Sequence, residues 1–359
     1  LPWENAYLKD KKKPAQPTGS TVVSLARTSA SFVGNVLLTP LRMLGDDEEA
    51  KPGARLFSSD PLPFEMLKDF NLKLSARLDS LLSTAITVKQ LNVTGKLKDS
   101  QLSLQARSDD LSQGTAEIDL ALDANAAPPT MDITGTFKNL HGLTSRNTFP
   151  RSGFISLQSQ GQSEAELAAH ANGLFYLELG QGPFDYANSV LLTTNLAATV
   201  FQTLIPGIER TTPQLQCGIT VALFQNGVGV TPHGFAARTT QANLLGQIHV
   251  DLGAETMQMS LDSRGRQGVG ISVGSIFSNT IQIRGPLTNP GIVPDTTSLL
   301  WRGWAAIATG GLSVLGETLI KRVLATENPC TSIRELIGKD LCPVNPIAAS
   351  SPLVCPTKP

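Results

Sequence analysis

Four histidines and four cysteines are the side chains here with the widest chemical range, as metal ligands, nucleophiles or acid–base groups. His141, His170, His233 and His249 lie far apart along the chain. A zinc site or metalloprotease centre needs close pairs such as H-x-x-x-H or H-E-x-x-H, which place two imidazoles on one helix face. No such pair occurs, so no metal ligand set is predicted. His249 alternates with Ile248 and Val250 and reads as a solvent-facing strand residue. Cys217, Cys330, Cys342 and Cys355 include no C-x-x-C, which argues against a vicinal redox pair or a zinc ribbon. Their even number allows more than one disulfide pairing in an oxidising compartment, or free and buried thiols in a reducing one.

Other catalytic signatures are also missing. There is no G-x-S-x-G elbow and no G-x-x-x-x-G-K-[ST] loop. "RGRQGVG" at Arg264 to Gly270 is glycine-rich, but it lies between strand patterns and opens no helix, so it reads as a loop and not a phosphate cradle. The expectation is a non-enzyme with no catalytic residue, no metal and no cofactor. The formal net charge is −1 and the one basic run, Lys11–Lys13, sits in a polar leader. Phosphate neutralisation needs far more positive charge, so nucleic acid is not an expected partner.

The elements that would carry any function are strands. Leu72, Leu74, Ala76 and Leu78 alternate with Lys73, Ser75, Arg77 and Asp79, the mark of a strand with one dry and one wet face. The pattern returns at Leu91–Leu97, Leu102–Ala106, Ala116–Leu122 and Met131–Phe137, with "KDS" as a hairpin turn between the second and third runs. Three of these stretches share a motif: "LNVTGKL", "MDITGTF" and, later, "IQIRGPLTNPGIVPD". Glycine inside a strand permits a bend or a close approach. Further strands are predicted at Leu174–Leu179, Leu215–Leu223, Phe235–Arg238, Gly246–Leu252, Met257–Leu261 and Ile281–Ile283, with "QNG" at Gln225–Gly227 as a tight turn. Antiparallel strands with one dry face pack as a sandwich, close a barrel, or leave a trough that something apolar fills.

Helices interrupt this pattern. Ser163 with Glu166 makes a capping box for "SEAELAAHANG", with Gly173 as the stop. Ala187 to Ile205 repeats apolar residues at helical spacing. Tyr186 to Ile208 carries no formal charge, yet its Asn, Gln and Thr content fits a helix laid on a sheet better than a membrane span. Ser298 to Ala325 is predicted helical; its uncharged core, Gly303 to Gly316, falls short of the ~20 residues a span requires. Trp301, Arg302 and Trp304 suit an interfacial helix or an end-cap on the sheet.

Of the 359 residues, 41% are hydrophobic, only 5% aromatic and 16% charged, against a usual charged share of about 25%. Leu, Val, Ile and Ala therefore make the core, and Ser, Thr, Asn and Gln fill the wet positions, as in exported or envelope chains. The first residues lack the pattern of a signal peptide. The chain begins at Leu1, which predicts a processed or truncated piece of something longer.

"RLFSSDPLPFEMLKDFNLKLSARLDSL", Arg55 to Leu81, resembles the start of the C-terminal region of the AsmA family of bacterial envelope proteins. The later order is similar too. A Cys217-bearing strand is followed by a hairpin, then a strand end at Ile283 to Pro290, an Ala/Gly/Leu helix, and "ENPC" at Glu327 to Cys330. The resemblance covers about Arg55 to Cys330; the tail with Cys342 and Cys355 departs from it. It implies a mainly β fold with a few helices: an elongated, curved antiparallel sheet forming an apolar groove, with packed amphipathic helices and a C-terminal helix.

The resemblance divides the chain into 1–60, a linker or the end of a preceding segment; 61–295, the β-groove region with inserted helices near 163–172 and 187–205; 296–330, a C-terminal helical cap; and 331–359, a Pro/Ser-rich tail. It implies a periplasmic protein of a Gram-negative bacterium, anchored in the inner membrane by a segment outside this chain. The function implied is phospholipid transport between inner and outer membranes, with the membrane surface and other envelope proteins as partners. Acyl chains would lie on Leu91, Val93, Leu102, Leu104, Ile118, Leu120, Ile133 and Phe137. Pro286, Pro290 and Pro294 would end the last strand and hand over to the terminal helix. The resemblance also singles out Cys217 and Cys330 as a disulfide pair. The alternative is a non-enzymatic periplasmic scaffold or assembly module with a closed β core.

Overall fold

The computed structural model describes residues 55–69, 71–82, 87–141, 149–183, 214–265, 280–293, 323 and 326–341, all within one compact unit, Leu44–Pro359. The helices expected at Ala187–Ile205 and across most of Ser298–Ala325 lie outside the described residues, as do Trp301, Arg302 and Trp304.

The alternating runs form one sheet. A short 3-10 turn, Phe64–Asp69, leads into β1 (Leu72–Leu82), β2 (Thr87–Lys98), β3 (Gln101–Leu111), β4 (Gly114–Asp123), β5 (Thr130–Leu140) and β6 (Arg151–Gln160). After helix α1 (Glu164–Ala169) come β7 (Asn172–Leu179), β8 (Gly182–Pro183), β9 (Gln214–Gln225), β10 (Val228–Val230), β11 (Phe235–Thr239), β12 (Ala242–Asp251), β13 (Thr256–Gly265), β14 (Thr280–Pro286) and β15 (Gly291–Val293). Helix α2 (Pro329–Leu341) closes the described chain. The fold is mainly β, a 15-stranded sheet whose order follows the sequence from β1 to β7 and then through β9 to β15. Strands β10 and β11 both fill the place between β9 and β12, and β8 pairs with β9. Every pairing among the described strands is antiparallel. At two of the hairpins Asp99–Ser100 and Asn226–Gly227 take the left-handed conformation that two-residue turns need.

The two faces of the sheet bury different cores. On one face Phe154, Leu174, Tyr176, Ile219, Val221, Ala236 and Leu245 pack with Cys330, Ile333, Ile337 and Leu341 of α2. The apolar positions of α2 recur at helical spacing, which is why it lies on β9, β11 and β12. A disulfide joins Cys217 on β9 to Cys330 at the start of α2. Arg334 Nε donates to Glu178 Oε1 at 2.9 Å, and the Tyr176 hydroxyl donates to the same oxygen. Burial and that carboxylate hold the Tyr176 phenol far above its ordinary range. On the opposite face Ala242, Leu244, Met257, Met259, Leu261, Ile281 and Ile283 form a second core.

Several expectations need correction. Strand β6 is not predicted, because Phe154 and Ile155 are both apolar and blur the alternation in a strand with packing on both faces. Gly173 does not stop α1. Ser163 caps the helix by accepting from Glu166 N, His170 ends it, and Gly173 lies in β7 at φ +137. Pro286 ends β14, but this is not the last strand: the chain turns and β15 pairs back, Gln282 opposite Val293. The expected hand-over from Pro294 to a terminal helix lies outside the described residues. Residues 331–341 are helical and not part of a Pro/Ser-rich tail. His249 is half-buried, and burial lowers its pKa against the pull of Asp251.

Candidate functional site

Strand registers decide which side chains share a face, because alternate residues project to opposite sides. Leu74 of β1 pairs with Gly95, Gly95 with Leu104, Leu104 with Leu120, Leu120 with Ile133 and Ile133 with Leu157. One row further along the strands, Ala76, Val93, Ala106, Ile118, Gly135, Ile155, Phe175 and Ala222 lie side by side. The next row runs Leu78, Leu91, Ser108, Ala116, Phe137, Gly153, Leu177, Thr220, Phe235, Gly246, Leu261 and Ile281, from β1 to β14. On the other side of the Leu74 row lie Leu72, Leu97, Leu102, Leu122 and Met131.

All eight predicted groove residues therefore fall on one face: Leu91, Val93, Leu102, Leu104, Ile118, Leu120, Ile133 and Phe137. This face is continuous with the second core around Ile283. The opposite face of β1 to β5 is wet. There Gln105 Nε2 donates to Asp119 Oδ1 at 2.9 Å, and Arg107 Nε donates to Asp109 Oδ1 at 3.3 Å.

Exposure on the apolar face falls from one end inward. Leu72, Leu74 and Leu78 on β1 are 58%, 44% and 46% exposed, whereas Leu104 and Leu120 are 5% and 2%. Leu91, Val93, Leu102, Ile118, Ile133 and Phe137 are half-buried. Glycines sit where large side chains crowd this face. A Cβ on Gly153 would fall 2.7 Å from the Phe137 ring, and one on Gly246 would fall 2.3 Å from the Phe235 ring. Such positions admit only glycine, since a methyl has no space.

Arg151 interrupts the face at its margin, a residue the sequence reading missed. It opens β6 opposite Leu140 on β5 and Leu179 on β7. Its parity along β6 is that of Gly153, Ile155 and Leu157. Only 3% of the residue is exposed. The guanidinium lies 4.8 Å from the centre of the Phe149 ring. Nη1 and Nη2 have no hydrogen-bond partner among the described residues. Burial lowers its pKa, yet a guanidinium stays charged at any ordinary pH. The signal that could have found it is an arginine in phase with Ile155 and Leu157.

The histidines are not brought together. His141 Nδ1 meets Asn139 O at 2.7 Å, His170 Nδ1 meets Glu166 O at 2.9 Å, and His233 Nε2 meets Asp340 Oδ2 at 3.1 Å. Among the described residues no group of three or more His, Cys, Asp or Glu is placed to hold a metal ion. No described helix is long and apolar enough to cross a membrane. The disulfide is compatible with an oxidising compartment such as the periplasm. Comparison of the chain with protein-family models, with curated proteins and with solved structures gives no match.

Proposed function

We propose that this chain is an AsmA-like envelope protein that binds phospholipid acyl chains on the apolar face of its sheet and supports lipid transport between inner and outer membranes. One observation carries the reading: the cross-strand rows through Val93, Ile118 and Ile155 keep a single apolar face in phase over successive strands. An acyl chain is a linear run of methylenes, each worth about 0.8 kcal/mol on burial. A row of Leu, Ile and Val side chains matches it without any directional contact. Glycines seated under Phe137 and Phe235 suit a sheet bent toward that face. The exposed leucines of β1 would be the open end of the groove. In this reading the chain acts in the periplasm, tethered to the inner membrane by a segment outside it.

The scaffold reading draws on a different observation. Leu104, Leu120 and the cluster around Ile283 are already buried, as in a closed core. Native mass spectrometry of the purified chain with lipid extraction separates the two. Phospholipid that co-purifies with the wild type, and is lost from folded Val93→Asp and Ile118→Asp variants, is the expected result. A folded chain free of lipid would favour the scaffold.

A further inference from the structure

We propose that Arg151 is the receptor for the phosphate of a phospholipid whose acyl chains lie on the adjoining apolar face. The proposal rests on the lipid-binding reading and gives it a headgroup site.

An unpaired ion inside a protein costs several kcal/mol, so buried charges are normally paired. Arg151 is buried, in phase with the apolar rows, and flanked across the strands by Leu140 and Leu179. Among the described residues no carboxylate accepts from its terminal nitrogens. The Phe149 ring covers the guanidinium and supplies a cation–π contact, which leaves the two terminal nitrogens without acceptors. Two parallel N–H groups form a fork that matches two oxygens of a phosphate or carboxylate. The desolvation of the cation is already incurred in the fold, so pairing adds only that of the incoming anion.

The surroundings choose among anions. A hydrated inorganic ion gains nothing from neighbours such as Leu177 and Leu179. An amphiphile does, since its chains can follow the row through Phe137 while its charge stops at Arg151. Thr220 lies on the same face, in the row of Gly153 and Leu177. Its hydroxyl is also buried and without a partner among the described residues. It is placed to donate to an oxygen of the ester region.

The test uses the purified full chain and two lipids with the same acyl chains, dioleoylphosphatidylglycerol and dioleoylglycerol, with affinities read by native mass spectrometry from detergent. Arg151→Gln is expected to weaken phosphatidylglycerol about tenfold or more, the loss typical of a charge-assisted pair, and to leave dioleoylglycerol unchanged. Arg151→Lys keeps the charge but not the fork and should fall between. Lipid-free Arg151→Met should melt no lower than wild type, because it removes an unpaired buried charge.

Unchanged phosphatidylglycerol affinity in Arg151→Gln, equal loss of both lipids, or a lower melting temperature for Arg151→Met would overturn the phosphate assignment while leaving the apolar face as a lipid site. Inorganic phosphate that competes as strongly as the lipid would overturn the headgroup source. Failure of the wild type to bind either lipid would overturn both proposals.

Discussion

The imidazole Nε2 of His233 lies 3.1 Å from Asp340 Oδ2, which ties the turn between β10 and β11 to the last turn of α2. The other end of α2 is held to β9 by the disulfide. The helix is therefore fastened at both ends, covalently at one and by a titratable contact at the other. Burial lowers the His233 pKa, and Asp340 opposes that shift without reversing it. The unfolded chain, with a histidine pKa of about 6.5, then binds the proton more tightly. The stability owed to a neutral, buried His233 is fully present above that value. It is lost as pH falls below it and levels off at the folded pKa. His249 shifts in the same direction. Melting temperatures between pH 8 and pH 5 should therefore drop in the wild type and drop less in His233→Gln; parallel curves would refute this role.

The disulfide joins residues 113 apart in sequence. Closing a loop of that size removes denatured-state entropy worth about 4–5 kcal/mol in the chain-entropy account. Cys217→Ser with Cys330→Ser, or treatment with reductant, should lower the unfolding free energy by an amount of that order. α2 should loosen before the sheet, since its fully buried Ile333 and Ile337 lie on the face that the bridge secures. Urea unfolding with and without reductant measures the first effect, and amide exchange along 329–341 the second.

Gly153 tests how tightly the apolar face is packed. A methyl there would meet the Tyr176 carbonyl oxygen at 2.2 Å and the Phe137 ring at 2.7 Å. The carbonyl belongs to the sheet backbone and cannot swing aside as a side chain can. Gly153→Ala should therefore cost about 1–3 kcal/mol, the usual range for overpacking. Gly95→Ala should cost less, because its nearest neighbour is the flexible end of Leu104 at 3.2 Å. Thermal unfolding of the two variants gives the comparison.

Alternation made β1 to β5 legible, and for a physical reason: each has one wet face, so polar and apolar residues separate cleanly. The same rule failed at β6, where Phe154 faces α2 while Ile155 faces the apolar rows. It failed again at β10 and β15, three residues each and too short to show a period. The prolines of "IQIRGPLTNPGIVPD" read as the end of a strand, and only the register of Gln282 with Val293 reveals a hairpin. All eight groove candidates share a face because a period of two survives register pairing. Arg151 was missed because its phase with Ile155 and Leu157 shows only once β6 is recognised as a strand, and its burial depends on Phe149 and on neighbouring strands.

The exposure gradient along the apolar face yields a prediction that separates folding from binding. Leu120 is 2% exposed and packs on all sides, so Leu120→Ala should destabilise by about 2–5 kcal/mol through the cavity it leaves. Leu74 occupies the same cross-strand row but is 44% exposed, and Leu74→Ala should stay within about 0.5 kcal/mol. Val93 and Ile118 are half-buried, with part of each side chain free to meet an acyl chain. A photoreactive residue at either position in cells should therefore give lipid adducts, while one at Ser103 on the wet face should give none. No adduct at Val93 or Ile118 in a folded protein would mean that the face is closed, and that its leucines serve the core alone.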